Sequence, residues 1–139
     1  MMCTPVIVLY RGFCGVHWVR RRTAMRIHSI FAVKFPDTSE IKESLQDQLG
    51  LSFVLHESSY LGEYWLSEDT TGSVVSIGSN KDPMYAAGDP EDEKYFESAF
   101  SEFGAIVSIT ALPQLETEIV KAVSCLPWQA VLVRRTEIE

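Results

Sequence analysis

Apolar and polar side chains alternate along several short stretches of this chain. The first stretch, residues 26–35, has one strongly apolar face that includes Phe31 and Val33. A period of two is typical of a half-buried β-strand. The same alternation predicts strands over residues 51–56, 60–66, 73–78 and 105–109, and a last strand is predicted over 128–133.

Two of these strands, separated by Ser58 and Ser59, form a predicted β-hairpin. With the two serines as the turn, Phe53 lies opposite Tyr64 on the inner face of the sheet. Trp65, the next residue, then lies on the outer face. Because neighbouring strand residues point to opposite faces, this register decides which side chains are available to a partner.

Three other stretches show the helical spacing of apolar side chains. A helix over 38–49 is predicted because Asp37 can cap its first turn and Gly50 can adopt the left-handed conformation that ends it. A second helix, over 89–103, is predicted from an aspartate followed by a proline and three acids, which are residue types that favour a helix start. A third helix is predicted over 113–126.

Along the chain, the elements have the order β-α-β-β-β-α-β-α-β, which resembles a ferredoxin-like plan enlarged by one strand and a terminal helix-strand unit. We therefore predict an α+β fold with one mainly antiparallel sheet and with helices packed on one face. The chain has 139 residues and an apolar content of 46%, which is sufficient for one core of ordinary size.

The first 24 residues differ in composition from the rest of the chain. Their apolar run is followed by three arginines at 20–22, which reverses the order found in a secretory signal peptide. Met25 opens directly into the first predicted strand. We interpret residues 1–24 as a leader that is disordered or precedes the natural start, and residues 25–139 as a single α+β domain.

Acidic side chains dominate the chain after this leader. From Met25 onward, 19 carboxylates face eight basic side chains, a net charge of −11. Such a negative field repels nucleic acid and attracts basic proteins, so we expect a basic protein partner and no direct nucleic-acid binding. No apolar stretch approaches the roughly 18 to 20 residues of a membrane span, so we expect no membrane segment. Cys125 is interpreted as a buried, reduced thiol of a cytoplasmic protein.

Sequence patterns that carry enzyme chemistry are missing. The chain has no phosphate-binding glycine pattern, no nucleophile-elbow serine and no metal-binding histidine helix. We therefore predict no catalytic residue, no metal and no cofactor. In an alternative hypothesis, a small-ligand-binding protein or an enzyme has a pocket near the 79–90 loop and uses His28 or His56 as its base. Asp69 is interpreted as a turn residue between strands.

Carboxylates are densest at Asp82 and over residues 89–93. A helix N-terminus carries only about half a unit of positive charge, so this cluster exceeds what helix capping requires. On the hairpin, Glu63 and Trp65 form a second candidate surface, because aromatic rings beside carboxylates are typical of protein-binding sites.

In length, α+β layout and acidity, residues 25–139 resemble the small immunity proteins that bacteria produce together with secreted nuclease toxins. The resemblance implies a non-catalytic protein-binding module that neutralises a basic toxin by covering its active site or an adjacent surface. The contact residues that it implies are Glu63, Trp65, Asp89, Glu91, Asp92 and Glu93. A third hypothesis is a homo-oligomer, because an open sheet edge can pair with a second copy of itself.

Overall fold

The computed structural model describes residues 25–138, which form a six-stranded sheet and two α-helices. In chain order the elements are β1 (Arg26–Val33), α1 (Thr38–Leu49), β2 (Val54–Ser58), β3 (Gly62–Glu68), β4 (Val74–Ser79), β5 (Ala105–Ala111), α2 (Pro113–Ser124) and β6 (Ala130–Ile138). The sheet order is β2-β3-β4-β5-β1-β6, and all neighbouring strands are antiparallel. The α+β class and the antiparallel sheet are thus confirmed. The leader assigned to residues 1–24 lies outside the described residues.

Both helices pack on the same face of the sheet, which we call the covered face. α1 connects β1 to β2 and contacts β3 and β4, whereas α2 connects β5 to β6 and contacts β1 and β5. The opposite side of the sheet is the open face. The predicted packing of helices on one face is confirmed, but the enlarged ferredoxin-like order of elements is not, because no α-helix lies between β4 and β5.

The hydrophobic core lies between the covered face and the helices. On this face Ile77 of β4 pairs with Val107 of β5, and Val75 pairs with Ile109; all four are buried. The helices contribute Ile41, Leu45, Ile119, Ala122 and Val123. Because burial of each larger side chain contributes about 1.5 to 3 kcal/mol, this layer is the main source of stability.

The caps that the sequence predicts for α1 are present. The Asp37 carboxylate accepts a hydrogen bond from the Ser39 N–H (3.0 Å) at the helix start. Gly50 ends the helix with a φ of 70°, and its N–H donates to the Gln46 carbonyl (2.8 Å). A residue with a Cβ rarely adopts this left-handed conformation, so the glycine fixes the helix end.

One carboxylate is buried among the apolar side chains of the covered face. Glu116 of α2 accepts a hydrogen bond from the Ser29 hydroxyl (2.8 Å) and lies 3.3 Å from Nε of Arg135 on β6. Its second oxygen lies 3.4 Å from Nη2 of the same arginine. A buried charge is tolerated only with such partners, so the three residues tie α2 to β1 and β6.

The predicted helix over 89–103 is wrong. Two single 3-10 turns, Glu91–Glu93 and Ser98–Phe100, take its place. The Asp89 carboxylate accepts a hydrogen bond from a backbone N–H three residues before it (2.9 Å) rather than capping the residues that follow. Further along, backbone N–H groups that a helix would use internally donate to Asn80 instead. Hydrogen bonds between distant residues therefore override the local helix signals.

The β2–β3 hairpin also differs from the predicted register. Ser58 pairs with Gly62, so the loop has three residues rather than two, and the glycine adopts a φ of 72°. Trp65 consequently pairs with Ile77 on the covered face. The prediction that Trp65 faces outward is wrong, because its ring packs against the core and lies 4.4 Å from Nζ of Lys42.

The later elements differ slightly from their predicted bounds. β5 and β6 continue beyond the predicted ends to Ala111 and Ile138, and α2 ends at Ser124. Cys125 is exposed, so the prediction that it is buried is wrong. No helix among residues 25–138 is long and apolar enough to cross a membrane.

Candidate functional site on the open face of the sheet

Small side chains occupy the centre of the open face. Ser76 of β4 pairs with Ser108 of β5, and Gly78 pairs with Ile106. On the next strand, Ile30 of β1 pairs with Ser108. The covered face of β4 and β5 carries isoleucine, valine and alanine. The open face is therefore depressed where the covered face is filled.

Residues 80–104, which connect β4 to β5, form a loop that lies over part of this depression; we call it the covering loop. Asn80 is fully buried at its start. Its side-chain amide donates hydrogen bonds to the carbonyl oxygens of Phe100 (3.0 Å) and Phe103 (3.1 Å), and its Oδ1 accepts one from the Glu97 N–H (2.9 Å). Its backbone N–H donates to the last residue of the loop (3.0 Å). One side chain thus holds the loop in place.

An apolar cavity of about 250 Å³ lies between the covering loop and the sheet. Phe96 of the loop, Leu61 of the hairpin turn and Tyr64 of β3 form its walls. The other lining residues are Ile30, Ser76, Gly78, Ser79, Ile106 and Ser108. The small side chains create this space, and the cavity opens to solvent, as ligand-binding sites do.

An ion pair connects the covering loop to β6. Arg134 pairs with Ile30 in the sheet, and its guanidinium donates two hydrogen bonds to the Glu97 carboxylate of the covering loop. The Glu97 side chain is only 16% exposed, whereas that of Arg134 is about half exposed. This contact fastens the covering loop to the far strand.

The outer part of the covering loop is strongly acidic. Its carboxylates are those of Asp82, Asp89, Glu91, Asp92 and Glu93. Among residues 25–138 none of these five forms an ion pair. Burial and the neighbouring carboxylates, above all that of Glu91, raise the pKa of Tyr85, whose hydroxyl donates to Glu91 (3.4 Å). The loop therefore carries a concentrated negative potential.

Exposed apolar side chains lie on the hairpin turn and on the covering loop, the two segments that supply Leu61 and Phe96 to the cavity lining. Tyr60 (72% exposed) and Leu61 (46%) lie at the hairpin turn, and Met84 (56%) and Phe96 (38%) lie on the covering loop. Turn and loop are close together, because a Cβ on the glycine after Leu61 would lie 3.7 Å from the Pro83 ring. Exposed apolar groups with a charged rim are typical of protein-binding surfaces.

The six contact residues predicted from the sequence fall into separate places. The four acids between 89 and 93 are exposed together on the covering loop. Glu63 is exposed near the hairpin turn and lies directly opposite Glu57, so two like charges repel each other there. Trp65 lies on the covered face, away from the cavity. The four acids belong to the loop over the open face, whereas Glu63, two residues before Trp65 on β3, shares its covered-face side, so the prediction that Glu63 and Trp65 face outward together is wrong.

His28 and His56 both lie on the open face but far apart. Their strands are four spacings apart in the sheet, roughly 19 Å at about 4.8 Å per spacing. His28 Nδ1 is hydrogen-bonded to the Thr110 hydroxyl (2.8 Å), and His56 stacks on Tyr64, whose ring faces away from the core, contrary to the predicted register. The two histidines cannot act as an acid–base pair. Within residues 25–138 no cluster of His, Cys, Asp or Glu could hold a metal ion.

Asn80, Arg134 and the paired serines were not identified from the sequence alone. A signal for the serines is present, because Ser76 and Gly78 occupy the non-core positions of an alternating strand. Asn80 has no comparable signal, since its partners lie 17 to 23 residues further along the chain.

Comparison with models of known protein families gives no match for this chain. Comparison with curated proteins gives no significant match either. The open face is therefore interpreted from its own geometry and charge.

Proposed function

We propose that this protein is a non-catalytic module that binds a basic protein partner through the open face of its sheet and the acidic covering loop. The observation that carries the proposal is that one loop both lines an open apolar cavity, through Phe96, and carries carboxylates that form no ion pairs among the described residues. Carboxylates alone attract any cation. The cavity and the exposed Tyr60, Met84 and Phe96 supply the apolar contact that a specific interface needs.

The negative charge of the covering loop favours basic partners and increases the rate at which they associate. Opposite fields on two proteins increase the rate of encounter by orders of magnitude at low ionic strength. Dissolved salt screens such fields within about 8 to 10 Å. A partner bound in this way should therefore be basic and should be released as the salt concentration rises.

An immunity protein that neutralises a basic, nuclease-type toxin in the bacterial cytoplasm is the specific form of this proposal. The substrate groove of a nuclease carries lysine and arginine for phosphate, and the carboxylates of Glu91, Asp92 and Glu93 offer the same residues an alternative ligand. The free, exposed thiol of Cys125 agrees with a reducing compartment.

Affinity capture from the source cells, with the full chain as bait, tests the proposal. The wild-type protein should retain a basic protein at low salt and release it at high salt, as identified by mass spectrometry. The triple variant Glu91→Lys, Asp92→Lys, Glu93→Lys should retain that protein at least about tenfold less, because repulsion replaces attraction at the loop. Asp89 is left unchanged because its carboxylate holds a local turn.

A matched variant distinguishes the effect of the charges on the loop from the effect of the protein's net charge. Glu43→Lys, Asp47→Lys, Glu118→Lys makes the same change in net charge at three exposed positions of the helices, on the opposite side of the sheet. This variant should retain the partner. Equal losses in both variants, or the capture of no basic protein by the wild type, would contradict the proposed surface. For the immunity form, the purified partner should cleave nucleic acid alone and lose this activity when the wild-type protein is added.

A further inference from the structure

We propose that the cavity on the open face holds one aromatic side chain that the basic partner inserts as its anchor. The inference rests on the proposed function and adds to it the chemical class of the inserted group. It concerns the cavity lining, whereas the proposed function depends chiefly on the acids of the covering loop. The two can therefore fail separately.

The size of the cavity suits one aromatic ring. An engineered apolar cavity of about 150 Å³ binds benzene, and the cavity here measures about 250 Å³. A phenol or an indole with its methylene group is within that range. The space exists because Ser76, Gly78 and Ser108 stand where bulkier side chains would close it.

The lining is apolar on its walls and polar on its floor. Phe96, Leu61 and Ile106 offer contact to the faces of a ring. The hydroxyls of Ser76 and Ser108, from paired positions on neighbouring strands, can accept a hydrogen bond from an indole N–H or a phenol O–H. Tryptophan and tyrosine combine a large apolar surface with one polar group, so they match this lining better than an aliphatic side chain.

The surroundings of the mouth indicate a protein partner as the source of the ring. Exposed Leu61 and Met84 offer further apolar surface, and the loop that supplies Phe96 to the cavity lining also carries the acids Glu91, Asp92 and Glu93. A polypeptide with an aromatic residue flanked by arginine or lysine uses all three features. Tryptophan, tyrosine and arginine are the residues most enriched at the energetic centres of protein interfaces.

Two tripeptides test the inference on the isotope-labelled full chain by NMR titration. The probes are N-acetyl-Arg-Trp-Lys-amide and N-acetyl-Arg-Ala-Lys-amide, which differ only in the central side chain. The tryptophan peptide should bind at least about tenfold tighter. Its largest amide shifts should fall on Gly78, Phe96 and Ile106, because these residues line the cavity.

Variants of the cavity lining then test whether the tryptophan ring of the peptide enters the cavity. Ser108→Phe fills the cavity from its floor and should abolish the advantage of the tryptophan peptide. Thr136→Phe adds the same group to an exposed position of the same face, opposite His28 and outside the cavity, and should leave that advantage intact. If Ser108→Phe fails to fold, Phe96→Ala removes a wall at a partly exposed position and should weaken the tryptophan peptide at least about threefold.

Three results would overturn the inference. The first is a folded Ser108→Phe, or a Phe96→Ala, that binds the tryptophan peptide as tightly as the wild type. The second is equal affinity for both peptides; if the Glu91, Asp92 and Glu93 variant still loses the captured partner, the proposed function survives this result. The third is equal affinity for uncharged N-acetyl-tryptophan-amide and the charged tryptophan peptide, which would assign the cavity to a small aromatic molecule instead.

Discussion

Strands β4 and β5 present very different side chains to their two faces. Towards the helices they carry Val75, Ile77, Val107 and Ile109, all buried, whereas their open-face positions are mostly serine, glycine and threonine. The backbone and the register are shared, so the side chains alone make the difference. Small side chains leave an empty cavity and forgo packing energy. The covered face therefore provides stability, and the open face keeps the space in which we propose that a partner binds.

Adjacent residues of β4 give the strongest test of this comparison. Ile77→Ala should lower the free energy of unfolding by about 2 to 5 kcal/mol, because it opens a void in a filled core. Ser76→Ala, one residue away on the open face, should change it by no more than about 0.5 kcal/mol. Urea unfolding followed by circular dichroism measures both. Similar losses for the two variants would show that the open face is part of the core.

The covering loop should depend on one amide. Asn80→Ala leaves the carbonyl groups of Phe100 and Phe103 without their donor, and we expect a loss of about 2 to 3 kcal/mol. Asn80→Asp keeps the acceptor for the Glu97 N–H but replaces the amide donor with a buried carboxylate oxygen that faces carbonyl oxygens, so its loss should be at least as large. Hydrogen exchange should show faster exchange of the Phe96 and Glu97 amides in both variants. Unchanged protection there would mean that the loop is held by other contacts.

Arg134 and Arg135 are adjacent on β6, so their variants compare the stability that an ion pair contributes on each face. Arg135→Met removes the ionic partner of buried Glu116, and because this arginine is about half exposed we expect a loss of about 1 to 2 kcal/mol. Arg134→Met breaks the pair with Glu97 on the open face, whose carboxylate is less buried than that of Glu116, and should cost less than about 1 kcal/mol. Denaturant unfolding at neutral pH compares them. A larger loss for Arg134→Met would contradict the assignment of stability to the covered face.

The smallest effect should come from the turn between β3 and β4, outside both faces. Hydrogen bonds from the Thr71 hydroxyl, and then from the Ser73 N–H, lower the pKa of Asp69 below its ordinary value. A folded-state pKa below the unfolded one means that the ionised carboxylate stabilises the fold above the unfolded pKa. This contribution is lost as the pH falls through the folded pKa.

The variant Asp69→Asn should therefore be slightly less stable than the wild type at neutral pH. The difference should vanish in acid, where the wild-type carboxylate is also uncharged. Unfolding free energies of both proteins over a pH series provide the measurement. A difference that stays constant into acid would show that shape, and not charge, is what Asp69 contributes.

The sequence predicts the covered side of the fold much better than the open side. Burial leaves a periodic apolar pattern, which is why the predicted face of β1 is confirmed. The caps of α1 at Asp37 and Gly50 are confirmed because capping depends on single residues at the helix ends. The turn with Ser58 and Ser59 allows more than one register, and only pairing with Ile77 brings Trp65 to the core. Residues 89–103 carry genuine helix signals, which the hydrogen bonds of distant Asn80 override.

The candidate site is also hard to predict from the sequence, because most of it depends on contacts between distant residues. The loop acids are visible in the sequence as a charge cluster, because charge is a property of single residues. The cavity depends on three strands that are distant in the chain, which bring Ile30, Ser76 and Ser108 together. Its existence follows only from the strand order, which local patterns do not contain.

The position of β1 between β5 and β6 affects how the chain can fold while it is being synthesised. The ribosome synthesises β1 first among these elements. Thr110 of β5, the hydrogen-bond partner of His28, is synthesised 82 residues later, and β6 follows β5. Because synthesis adds about 5 to 20 residues per second, the apolar strand β1 stays unpaired for several seconds. Pairing across so long a separation is slow. We therefore expect the nascent chain to need protection from aggregation until residues 105–138 have left the ribosome.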